Sequence, residues 1–187
     1  MNTGKLMGSL LMCGLLTVGA AAQMSSGSDT GSSQLSAGDK MFVKKAAQGG
    51  MAEVELGKLA ADKGSTDDVK KFGQRMVDDH SKANDQLKQI ASSKGITVPD
   101  DMNAKDKATK ARLEMLSGAQ FDRAYMNDMV KDHVEDISEF NKEAKMGKDP
   151  DVKGFASQTL PTLQDHLKNA RSVASETGAQ ASTKTSQ

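Results

Sequence analysis

The sequence contains one cysteine, Cys13, and no tryptophan. A single thiol closes no disulfide within the chain, so stability has to come from packing. Charge of one sign is also missing: 25 Lys and Arg stand against 25 Asp and Glu. That balance offers neither a basic footprint for nucleic acid nor a steering field for a charged ligand. No apolar run reaches the roughly 20 residues of a membrane-crossing helix, and the alternating segments of about ten residues that build a membrane barrel are absent. There is no Gly-x-Ser-x-Gly and no phosphate-binding glycine loop.

What is present begins with an export signal. Lys5 supplies a positive start, Leu6 to Val18 form a short apolar stretch, and Ala20-Ala21-Ala22 offers a small-residue cleavage site. Residues 1–22 therefore read as a signal peptide, with Gln23 opening an exported protein of the periplasm or cell envelope. As a membrane anchor the segment 6–22 is short and interrupted by Gly8, Gly14 and Gly19. Met12 is a poor neighbour for a lipidated Cys13. Cleavage would remove Lys5 and no acid, taking the balance from 25 against 25 to 24 against 25, and would remove the only thiol.

Residues 23–38 and 175–187 are Ser, Gly and small polar residues, with too little apolar surface to offset the entropy of ordering. They read as a flexible arm and a disordered tail around a folded region at 39–174. Within that region apolar residues recur at three and four, so the fold class is all-α. Helices are expected at 39–63, 65–94, 118–146 and 150–174, with a shorter one near 103–116 on a long crossover. Ser65 with Asp68 and Ser117 with Gln120 have capping-box spacing, Asp149-Pro150 reads as a cap and first-turn proline, and Pro161 should kink the last helix. Asp68-Val69-Lys70-Lys71-Phe72 is echoed by Asp151-Val152-Lys153-Gly154-Phe155. The echo suggests two related helical hairpins, the layout of a four-helix bundle with a crossover.

The three histidines carry the functional question. His80, His133 and His166 each fall on an apolar stripe near the middle of a different helix, and Glu53 does the same on the first. Three imidazoles and a carboxylate meeting inside a bundle make a candidate site for zinc, copper, iron or manganese. Asp79, Asp132 and Asp165 each precede a histidine. About 100° around the helix from it, each could orient an imidazole of a neighbouring helix or face solvent. Met76 and Met129 stand four residues before a histidine, which would suit Cu(I), although methionine at this spacing is more often core filler. The competing reading is a core of histidines bonded to facing acids, with no metal. The Glu-x-x-His pairs of di-iron bundles are missing, since Val77, Val130 and Leu163 hold the positions three before each histidine.

Several of these segments carry a family resemblance: Glu53-Val54-Glu55-Leu56-Gly57, Phe72, Met76 to His80, Gly118 with Phe121-Asp122, Met129 to His133, and Leu160-Pro161 with His166. Over about residues 39–172 the chain resembles exported bacterial domains of unknown function, often labelled outer-membrane proteins and grouped with the ferritin-like superfamily. The resemblance implies a ferritin-like four-helix bundle with a short extra helix in its crossover, and no reaction. Two functions remain open. One is a metal-binding module for metal handling or stress protection; the other is a metal-free envelope module acting through its surface.

Overall fold

The structure, a computed structural model, describes residues 35–178; the segment read as a signal peptide, most of the expected arm and most of the expected tail lie outside the described residues. It has five helices: α1 (Ala37–Lys63), α2 (Asp67–Ser93), α3 (Ala104–Glu114), α4 (Gly118–Met146) and α5 (Pro150–Glu176). No strand occurs among the described residues, and no helix there is long and apolar enough to cross a membrane.

Local chemistry sets the ends. The side chains of Ser36, Thr66, Asn103 and Asp149 accept hydrogen bonds from the first-turn amides of α1, α2, α3 and α5, pairing donors a helix leaves unsatisfied. α2 starts two residues later than its sequence suggests, because Ser65 is otherwise engaged. Its amide and hydroxyl donate to the buried Asp122 carboxylate at 2.8 and 2.5 Å, tying the α1–α2 turn to α4. The capping box expected of Ser117 and Gln120 does not form: the Ser117 side chain makes no cap hydrogen bond. Gly118 enters the helix in a left-handed conformation, φ 56°, which turns the chain away from capping geometry. α2 ends in a Schellman motif, with Gly95 at φ 65° and the Ile96 and Gly95 amides donating to Ala91 and Ser92. α5 runs through Pro161 without ending. Leu35 to Gly38, assigned to the arm by composition, belong to the folded unit: Leu35 is buried, Ser36 caps α1, and Gly38 lies within it.

α1 packs mainly on α2 and α4 on α5; the two hairpins meet through α1 with α4 and α2 with α5, and α3 lies against α1 and α4. The fold is thus a four-helix bundle with a crossover helix. α1 and α2 approach closely at two glycines. A methyl on Gly73 would stand 2.6 Å from the Gly57 carbonyl oxygen. Gly73→Ala gains about 1 kcal/mol of helix propensity but meets backbone that cannot step aside, an overpacking cost of about 1–3 kcal/mol or more. The variant should melt several degrees lower, and an unchanged or raised melting temperature would contradict this packing.

The core is divided. One apolar cluster gathers Leu56, Phe72, Met76, Tyr125, Met129 and Ala170 among others; a second gathers Ala47, Leu87, Phe140, Phe155 and Leu163 among others. Along each long helix a buried polar residue stands between members of the two: Glu53 on α1, His80 on α2, His133 on α4 and His166 on α5. A polar layer crosses the middle of the bundle.

Candidate metal centre

In that layer the histidines are 7%, 0% and 1% exposed for His80, His133 and His166. Their ring centroids are 5.3–5.8 Å apart, and one nitrogen of each lies within 4.8 Å of the others.

Hydrogen bonding decides which nitrogens carry protons. His133 Nδ1 is 2.9 Å from the Met129 carbonyl oxygen, which only accepts, so Nδ1 is the N–H and Nε2 bears the lone pair. His166 Nε2 is 2.9 Å from Asp79 Oδ2. Burial works against the Asp79 carboxylate, but hydrogen bonds from His166 and Arg75 outweigh it and hold its pKa below the ordinary value. The acid is therefore ionised and accepts from His166 Nε2–H, leaving the lone pair on His166 Nδ1.

These two lone pairs face each other: His133 Nε2 is 3.3 Å from His166 Nδ1. His80 adds a buried Nε2 with no hydrogen-bond partner. Neutral imidazoles so placed repel, and an unpaired buried polar atom costs about 1–3 kcal/mol. The arrangement calls for a positive charge between the rings. Burial opposes a proton there. It lowers His133 to about 4, helped by His166, pushes His80 well below its usual value, helped by the other two rings, and lowers His166 despite its bond to Asp79. A metal ion fits better, because two nitrogens bound to a tetrahedral ion at about 2.0–2.1 Å stand about 3.3–3.4 Å apart.

Asp79 orients His166 from a neighbouring helix, and Arg75 holds Asp79 in turn, with Nε 3.3 Å from its Oδ2. Asp165 faces outward and accepts from Arg75 Nη2 at 2.6 Å. The sequence signal for Arg75 is its i,i+4 spacing to Asp79. Asp132 contacts no imidazole and lies 3.7 Å from Lys105. Glu53 does not join the converging nitrogens. Its Oε1 is 3.8 Å from His133 Nδ1, the ring atom already committed to Met129, so it approaches from behind the ring. Burial first, then Asp136 and Asp132, push its carboxyl well above the usual range. Met76 and Met129 pack in the apolar cluster.

On the α2–α5 side His80 and His166 line a cleft of about 300 Å³, with Gln86, Gln158, Thr159 and Thr162. It opens beside His80 and His166, while His133 is fully buried behind them.

A sequence profile described as a domain of unknown function, DUF4142, matches residues 24–173. The chain belongs to the DUF4142 family. No curated protein matches it. Among solved structures, this DUF4142 domain is similar to a DUF305 fragment from Deinococcus radiodurans, with TM-score 0.68 and 14% identity over 76% of this chain and 98% of that one. It is also similar to a conserved hypothetical protein from Mycobacterium tuberculosis, with TM-score 0.57 and 16% identity over 74% of this chain and 91% of that one. At these identities the likeness concerns the fold alone.

Proposed function

We propose that this DUF4142 protein is an exported, ferritin-like metal-binding module that holds one transition-metal ion on His80, His133 and His166. The observation that carries the reading is the pair of lone-pair nitrogens 3.3 Å apart, with the unpartnered His80 Nε2 beside them. The hairpin pairing and crossover support ferritin-like topology, and the N-terminal sequence supports export to the periplasm or envelope. With only imidazole ligands converging and Glu53 apart from them, zinc and copper fit better than manganese or iron. Three protein ligands leave a position open, and the cleft opens beside two of them, which suits metal handling and the removal of a redox-active ion. No residue is assigned a catalytic role.

Elemental analysis tests this directly. The untagged mature protein, exposed to Zn²⁺ or Cu²⁺ and desalted, should retain one equivalent per chain. Asp79→Asn, which removes the carboxylate fixing His166, should weaken affinity about 10–100-fold. Sub-stoichiometric metal in the wild type would favour the metal-free envelope module instead.

A further inference from the structure

The bundle has a second polar cavity, of about 170 Å³, among α1, α3 and α4, on the side away from the histidine cleft. Its walls carry six carboxylates, Glu53, Asp106, Asp132, Glu135, Asp136 and Glu139, against two lysines. Both lysines are taken: Lys45 pairs with Glu139 at 2.6 Å, and Lys105 with Glu135 at 3.3 Å and Asp132 at 3.7 Å. Neither of these lysines pairs with Glu53 or Asp136, while Asp106 accepts from the Asn103 side chain at 2.7 Å and lies in the field of Lys105.

An acidic wall alone would be a solvated surface, but Glu53 is not on the surface. It is 3% exposed, lines this cavity, and its Oε2 has no hydrogen-bond partner. A buried carboxyl with an unpaired oxygen is costly, and either a proton or a cation that meets it relieves the cost. Asp136 is under the same pressure: burial, then repulsion from Asp132 and Glu139, raises it to about 7.

We propose that this cavity binds a hard divalent cation of the magnesium or calcium class, held by Glu53 and Asp136 with Asp106 and Asp132 around it. The donors are all oxygen, the chemistry such ions take and imidazole clusters do not. Among the described residues only the three histidines bring ligand atoms close enough to hold a bare ion. The carboxylates would hold a cation in the acidic cavity through its water shell, as magnesium is commonly held. The site is independent of the histidine reading, since each stands if the other fails.

The test is thermal unfolding of the purified protein with MgCl₂ or CaCl₂, ionic strength being matched with NaCl. One cation should raise the melting temperature saturably, by about 5–10 °C at a hundred times its Kd, while NaCl alone does not. Glu53→Gln and Asp136→Asn should each remove the rise, and Asp136→Asn should melt no lower than wild type without cation, because it deletes an uncompensated charge. If Glu53→Gln does not fold, Asp136→Asn decides. No rise with either cation, or a rise that survives Asp136→Asn, overturns the proposal.

Discussion

His133→Ala should abolish the stabilisation that zinc or copper confers. An ion that binds only the folded chain stabilises it by about 2.7 kcal/mol at a hundred times its Kd, about 5–10 °C in melting temperature for a domain of this size. His133 supplies the central ligand: its Nε2 faces His166 and its Nδ1 is committed to the Met129 carbonyl, so the ring cannot turn away without losing that bond. The metal-free variant also melts differently, because a fully buried ring has been deleted, and that change alone decides nothing. The discriminating quantity is the difference between melting with and without metal, expected to be large in wild type and near zero in His133→Ala. His166→Ala should show the same loss from another helix. A metal-dependent shift of wild-type size in both variants would place the ion elsewhere.

Metal affinity should persist to unusually low pH. Three imidazoles with ordinary pKa values near about 6.5 would each lose roughly 30-fold at pH 5, about 3 × 10⁴-fold together. Here the folded-state values are depressed: His133 to about 4 and His80 and His166 in the same direction, burial being the first cause in each. A proton competes with the metal only below the folded-state pKa. Affinity measured by competition with a chelator, corrected for the chelator's own protonation, should therefore fall much less than that combined loss between pH 7.5 and 5, with the loss through His133 coming only near its folded-state value of about 4. A loss approaching that of three ordinary imidazoles by pH 5 would show solvent-exposed ligands. Folding stability follows a different course. A depressed histidine pKa leaves stability intact above about 6.5 and removes it as pH falls toward the folded value. Asp136 and Glu143, both raised to about 7 with burial as the first cause, act oppositely, gaining stability as pH falls from about 7 toward the carboxylate range. The two partly cancel between pH 4 and 7, so binding, not melting alone, carries this test.

The long helices and the meeting of the histidines were legible in the sequence because both follow from one period. His133 stands three after Val130 and His166 three after Leu163, and a stripe that faces a core brings its members inward. Azimuth within the layer was not legible. Glu53 shares the inward stripe yet reaches the back of His133, because α1 sits beside α4 and a side chain reaches only its neighbour. Of three acids at equivalent spacing, only Asp79 bonds an imidazole; Asp165 turns to Arg75 and Asp132 to Lys105. Which one does so depends on the helix beside it, which the spacing leaves open. The Ser117 cap failed for a local reason, the left-handed Gly118. The acidic cavity depends on α3 bringing Lys105 and Asp106 against α1 and α4, a tertiary placement with no periodic signature.

The most direct measurement is anomalous diffraction at the zinc edge from crystals of the zinc-loaded protein. The account predicts one peak between His133 Nε2, His166 Nδ1 and a nitrogen of His80, at about 2.0–2.1 Å from each, with Glu53 outside the coordination sphere. Zinc bound only away from these rings, or no peak at stoichiometric loading, would contradict it.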